Sequence, residues 1–225
     1  MNKGDTMSQK QIRQERNRAK KIRQQWLGYG VLAVLVVAAV LWNASRPKAQ
    51  PLDENRLALN PTLGSNFAEV VIVEYGDFGC SACRAWHNAG IMEQIREEYG
   101  DQVQFVWKDF PVITAQSPKA AEAGQCAFDQ GRFWEFHDYI YENVYSLDVD
   151  DLKSYAAQLG LDTEKFNQCL DLGQNRAKVD QSLNEALREY AFPGTPSFLV
   201  NGKKLIGPPT FEVLKSTIDA ILANS

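Results

Sequence analysis

The chain has 225 residues, 44% of them apolar, and a formal net charge of −4 at pH 7. That length favours one domain of ordinary core size with extensions over two full domains. Charge is unevenly placed: residues 1–25 hold eight basic and two acidic residues, about +6 by count, so the remainder carries −10. No glycine-rich phosphate loop or cofactor fingerprint occurs, and no cofactor is expected.

A basic arm alone would suit a nucleic acid, because lysine and arginine neutralise phosphates. The next residues argue otherwise. From Trp26 to Trp42 the sequence WLGYGVLAVLVVAAVLW contains no charge, and as a helix it spans roughly 25 Å, short but sufficient for a transmembrane anchor. Trp26, Tyr29 and Trp42 lie near its ends, where amphipathic rings favour the headgroup layer, and the basic flank predicts a cytoplasmic N-terminus. The acidic bulk is then expected outside the cell membrane, behind a single span. A signal peptide cleaved near Ala38-Ala39 is the rival reading, although such peptides have a shorter apolar region and a small-x-small cleavage site.

Residues 43–66 are polar, broken by Pro47, Pro51 and Pro61, and read as a tether holding the next domain within roughly 25 to 30 Å of the bilayer. The catalytic domain is expected over 67–225. Its opening run, Glu69 to Tyr75, is β-branched and strand-like, with turn residues Gly76, Asp77 and Gly79 behind it. A helix over about Ser81 to Glu98, ended by Gly100, and a strand over Gln102 to Trp107 complete a strand-helix-strand unit that favours parallel pairing.

From Ser117 to about Tyr190 the pattern is helical throughout, with Ser117-Pro118 as a cap and first-turn proline, and with breaks at Gly131, Ser146 to Val149, Gly160 and Gly173. Four or five helices are expected in this insertion, 117–190, with Asp150 and Asp162 as caps. Ser197 to Val200 and Lys203 to Ile206 flank Asn201-Gly202, the strongest short hairpin signal. A final amphipathic helix covers about Thr210 to Leu222.

Chemistry concentrates in Cys80-Ser81-Ala82-Cys83, at the junction of strand and helix. A helix N-terminus offers unpaired N–H groups and a partial positive charge, which stabilise a thiolate. Cys80 is the expected nucleophile, and Cys83, one turn on, is placed to close a disulfide with it and resolve mixed disulfides. The competing readings are zinc and inert buried thiols. Zinc wants a second CxxC or a Cys/His pair at ligand spacing, and His87, Cys126, His137 and Cys169 form none in sequence.

Three segments in order resemble the DsbA-like branch of thioredoxin-fold oxidoreductases, in particular its membrane-anchored bacterial members. They are Val-Glu-Tyr-Gly-Asp-Phe-Gly-Cys-Ser-Ala-Cys at 73–83, Cys-Ala-Phe-Asp-Gln-Gly-Arg-Phe-Trp-Glu-Phe-His at 126–137, and Pro-Gly-Thr-Pro-Ser-Phe-Leu-Val-Asn-Gly at 193–202. The likeness runs from about Pro61 through the last helix. It implies an α/β thioredoxin-like fold with the helical insertion between its βαβ and ββα halves. It also implies that Thr195-Pro196 forms a cis-proline loop beside the redox-active disulfide, offering backbone to an extended substrate. Without the likeness, Pro193 and Pro196 are ordinary loop punctuation.

Alternation places Glu74 on the face of Val70 and Ile72, where a carboxylate is costly unless partnered or neutral; the alternative is that the strand has already emerged into solvent. The resemblance implies that an acid here moves protons for the inner cysteine, Cys83. If Cys80 pairs with Cys83, Cys126 is left with Cys169, a bridge worth roughly 4 kcal/mol by chain entropy; a comparable structural bridge occurs in some family members. A second exchange pair is the rival. His87 shares a helical face with the cysteines or merely packs, and His137 among Phe133, Trp134, Phe136 and Tyr139 reads as a core or surface residue.

The expected activity is insertion of disulfides into extended or unfolded exported proteins, with a quinone-linked membrane partner of the DsbB or vitamin K epoxide reductase type implied by the resemblance. Serine and alanine between the cysteines depart from the Pro-His or Pro-Tyr of strongly oxidising members, which leaves a reductase or isomerase as the alternative. A membrane-tethered chaperone or peptide-binding module is the non-enzymatic one.

Overall fold

The computed structural model describes Val37 and residues 59–143 and 146–224. The basic tail 1–25, the span 26–42 apart from Val37, and the tether through residue 58 lie outside the described residues. Among the described residues, no helix is long and apolar enough to cross a membrane.

Strand β2 (Val70–Gly76) pairs in parallel with β3 (Val103–Asp109) and antiparallel with β4 (Ser197–Val200). Their β-branched and aromatic side chains suit strands buried on both faces. Edge strands β1 (Thr62–Gly64) and β5 (Lys203–Ile206) complete a five-stranded sheet of order β1-β3-β2-β4-β5. The β4–β5 turn is Asn201-Gly202, with φ of 44° and 82°, as the hairpin signal requires. Asn201 also continues the β2 edge, accepting from the Val71 N–H at 2.7 Å and donating to the Glu69 carbonyl.

Strand β1 corrects the expected tether, whose last residues are part of the sheet. Thr62 to Gly64 pair antiparallel with Val106 to Gln104, the Pro61 carbonyl accepts from the Trp107 N–H, and the Thr62 carbonyl accepts from the Trp134 indole. A three-residue edge strand carries too little periodicity to be read from sequence.

The helix expected over 81–98 is two helices, α1 (Ser81–Asn88) and α2 (Ile91–Tyr99). Gly90, with φ of 65°, turns the chain between them in a conformation that side chains resist. Among the described residues the insertion holds five helices: α3 (Ser117–Phe128), α4 (Phe133–Asn143), α5 (Val149–Gln158), α6 (Thr163–Leu172) and α7 (Arg176–Asn184), the last running into a π-turn at Glu185–Glu189. Asp162 caps α6 as expected, accepting from the Lys165 N–H. Two caps differ from expectation. Asp148, rather than Asp150, occupies the cap of α5, and α3 starts at Ser117 itself, whose hydroxyl instead accepts from the Thr114 N–H. Helix α8 (Phe211–Leu222) closes the fold.

Alternation along β2 and its neighbours divides the core. Val70, Ile72, Phe105, Phe198 and Val200 pack with Trp86, Ile95, Leu214 and Ile218 from α1, α2 and α8. Val73, Tyr75, Val106 and Leu199 face the opposite way, against Ala186, Tyr190 and Phe192 after α7. A third cluster, centred on Phe78, Trp107, Phe133 and Phe136, joins the β2–α1 loop to the insertion.

At the end of β2, a Cβ on Gly76 would penetrate the Trp107 indole, which is buried and has no room to move. Gly76→Ala is expected to destabilise the fold by about 1–3 kcal/mol, read as a lower urea midpoint with unchanged slope.

Candidate active site

Strand β2 ends at Gly76, and the chain turns through Asp77 to deliver Cys80 as the N-cap of α1. The Asp77 carboxylate makes that turn rigid. One oxygen accepts from the Gly79 N–H at 2.7 Å, and the other accepts from the N–H groups of Val112 and Ile113, both at 2.8 Å. Its backbone carbonyl accepts from the Cys80 N–H at 2.9 Å and the Tyr141 hydroxyl at 3.0 Å. Asp77 and Tyr141 are functional positions that sequence reasoning missed. Asp77 read only as a turn residue, and nothing near Tyr141 in sequence points to the site.

Register brings the second half of the site. Because β4 runs antiparallel to β2, with Tyr75 opposite Ser197, the residues just before β4 meet those just after β2. The Thr195 carbonyl lies 3.4 Å from the Cys80 sulfur, and the Thr195–Pro196 peptide is cis. Cys80 and Cys83 are both free thiols.

The two cysteines are chemically unequal. The Cys80 sulfur accepts from the Cys83 N–H at 3.3 Å, at the positive end of α1. Its pKa is lowered to about 6; the hydrogen bond with the Cys83 side chain is the largest cause, burial opposes it, and Thr195 and the amides of Cys83 and Ala82 add to it. Cys83 has no exposed surface, and burial pushes its thiol far above the ordinary value. Cys80 retains 5% exposure, so attack from outside is directed to it.

Glu74 is buried, in register between Trp107 and Phe198. The strand has therefore not emerged into solvent at this point. Burial, and then the charge of Cys80, raise its pKa to about 8. Its protonated form is thus favoured near neutral pH, and its charge is coupled to Cys83 as well.

Cys126 of α3 and Cys169 of α6 form a disulfide, with Cα atoms 5.9 Å apart. Each lies inside its helix rather than at an N-terminus that would stabilise a thiolate, which suits a structural link between helices better than a relay. His87 does not figure among the groups that shift Cys80; its imidazole instead faces Asp138 and Glu142 across to α4. His137 is in the core, ringed by Trp107, Phe133, Trp134 and Tyr141.

The thioredoxin family model matches residues 58–220. The chain belongs to the thioredoxin family. It is 28% identical to the probable disulfide bond formation protein D of Bacillus anthracis, covering 89% of this chain and 96% of that one. It is 31% identical to the Na(+)/H(+) antiporter NhaA of Herminiimonas arsenicoxydans over 85% of this chain, but spans only 32% of that relative's length. Among solved structures it resembles a thioredoxin-like oxidoreductase from Silicibacter pomeroyi, with 25% identity, a TM-score of 0.67 and coverage of 76% of this chain and 99% of the other. It also shares its fold with Wolbachia pipientis alpha-DsbA1, at 22% identity and a TM-score of 0.64, covering 73% and 92%.

Two outcomes follow for this thioredoxin-family site. In the reduced protein, alkylation of Cys80 is expected to rise with pH about a midpoint near 6 while Cys83 stays unreactive, as mass spectrometry of iodoacetamide adducts will show. Glu74 has the opposite sign of linkage. Its folded pKa of about 8 exceeds the ordinary 4.5, so folding favours the protonated form, and the cost of ionising it grows from about pH 4.5 to pH 8 and is constant above. Glu74→Gln should therefore stabilise the protein by at least about 1 kcal/mol at pH 8, with a gain that shrinks towards pH 4.5 in urea titrations.

Proposed function

We propose that this chain is a membrane-anchored thiol-disulfide oxidoreductase that passes the Cys80–Cys83 disulfide to extended exported proteins. The observation that carries this reading is the inequality of the pair: a thiolate-stabilised Cys80 beside the Thr195–Pro196 backbone, and a buried Cys83 beside a protonatable Glu74.

A substrate thiolate attacks the Cys80 sulfur, the Cys80–Cys83 bond breaks, and Cys83 leaves with the electron pair and takes a proton from neutral Glu74. A second substrate thiolate then attacks the substrate sulfur of the mixed disulfide. The substrate disulfide forms and Cys80 leaves as its stabilised thiolate. Because a low-pKa leaving thiol is displaced faster and the reduced form is stabilised, a Cys80 value near 6 favours donation of the disulfide. The exposed Val112 and Ile113 offer apolar surface for an unfolded client.

Two electrons then rest on the cysteines and require an acceptor. A quinone-linked membrane protein of the DsbB or vitamin K epoxide reductase type suits the basic tail at 1–25 and the apolar run at 26–42, which would keep the domain outside the membrane and near such a partner.

The equilibrium potential of Cys80–Cys83 in the full-length chain, titrated against glutathione with alkylation to count thiols, tests the direction. A value near −120 mV, as in DsbA, is expected of a disulfide donor, whereas one near −270 mV, as in thioredoxin, would make the protein a reductant or isomerase. Client activity that survives Cys80→Ala would overturn the redox reading in favour of a peptide-binding module.

A further inference from the structure

The fold brings together four side chains from two distant stretches of sequence, His87 and Glu93 with Asp138 and Glu142, that take no part in the thiol chemistry. His87, on the last turn of α1, points its Nε2 at Asp138 Oδ1, 4.0 Å away, and at Glu142 Oε1, 3.9 Å away, both on α4. Asp138 and Glu142 are four residues apart and share a helix face, an arrangement that costs stability by like-charge repulsion. Glu93, from the first turn of α2, lines the same cavity of about 500 Å³, and no lysine or arginine is among the lining residues. Two carboxylates thus lie within about 4 Å of one imidazole, and a third lines the same cavity.

His137 orders the arrangement from behind. It is 2% exposed, its Nδ1 lies 2.8 Å from Asp138 Oδ1, and its Nε2 has no hydrogen-bond partner among the described residues. The Nδ1 contact is therefore the one polar bond that holds this ring, and it fixes the Asp138 carboxylate in the manner of the histidine–carboxylate pairs that orient metal ligands.

We propose that His87, Asp138 and Glu142 form a binding site for a borderline divalent cation such as Zn²⁺, with Glu93 or water completing the coordination. One imidazole with two or three carboxylates is a donor set that zinc accepts. Zinc–nitrogen and zinc–oxygen bonds of about 2.0–2.2 Å place tetrahedral donors roughly 3.3–3.5 Å apart. The 3.9 and 4.0 Å from His87 Nε2 close to this by rotation of the Glu142 side chain, which is 60% exposed, and of the His87 ring towards the Asp138 oxygen that His137 holds. Bound metal neutralises the repulsion and pins the far end of the active-site helix to the insertion. The site is independent of the redox reading.

The test is a titration of Zn²⁺ into the full-length chain with Cys80–Cys83 closed as a disulfide, so that no thiol competes, against a chromophoric chelator. One zinc per chain is expected. His87→Ala should weaken it by more than about 100-fold, beyond the 10- to 100-fold typical of losing an outer partner, and Asp138→Asn with Glu142→Gln should do the same. Zinc should also raise the melting temperature of the parent and not of these variants. Glu142→Gln alone, at an exposed position, supplies a weakened site in a chain that folds if His87→Ala does not. Zinc binding that ignores all these substitutions, or that appears only when the disulfide is reduced, would overturn the proposal; the latter would put the metal on the cysteine pair.

Discussion

Strand β2 is hydrogen-bonded along both edges, to β3 in parallel and to β4 in antiparallel, and the chemistry at its end follows from that double pairing. The parallel edge aligns Gly76 with Asp109, so the loop after β3 passes the loop after β2 and Asp77 can hold both. The antiparallel edge carries the chain in the opposite sense and sets the start of β4 beside Cys80. A slip of one residue along either edge would turn Glu74 to the opposite face and move Thr195 off the sulfur.

Burial then sorts the protons. Three ionisable groups lie along one short path from the core to the surface, and their affinities differ because their surroundings do. Glu74 is held neutral by desolvation, Cys83 is held as a thiol by the same effect, and Cys80 escapes it through hydrogen bonds at the start of α1. The sheet tolerates a carboxyl at its centre, at a cost in stability, and its charge bears on the inner sulfur as well as on Cys80. Hydrophobic substitution at Glu74 would relieve that cost and remove that charge together.

Much of this was legible in the sequence. The β-branched run before Gly76, the Asn-Gly turn and the glycine breaks of the insertion carry their conformations in local chemistry, and the structure follows them. The cysteine pair was legible because its placement at a strand–helix junction has only a few chemical uses. Less local features were not. Strand β1 exists because β3 needs a partner on its outer edge, and its three residues advertise nothing. The break at Gly90 was missed although the buried positions change helical face across it, from Cys83 and Trp86 to Met92, Ile95 and Tyr99. Asp77 gains its importance from amides 35 and 36 residues away, and the meeting of His87 with His137 is a product of packing between α1 and α4. Such long-range pairs leave no periodicity to read.

The edges of the sheet carry a further consequence. If unfolded chains are its clients, as proposed above, the protein must avoid templating them, since an open strand edge offers a row of unpaired amides and carbonyls. Here one edge is only three residues long, and the other, β5, is four residues with Lys203 and Lys204 exposed on it. Neither gives an extended client room to add itself as a sixth strand. On the proposed function, backbone recognition is left to the loop at Pro196, where the Thr195 carbonyl lies 3.4 Å from the Cys80 sulfur, so that a client would be held where exchange releases it rather than along a sheet edge where it could accumulate.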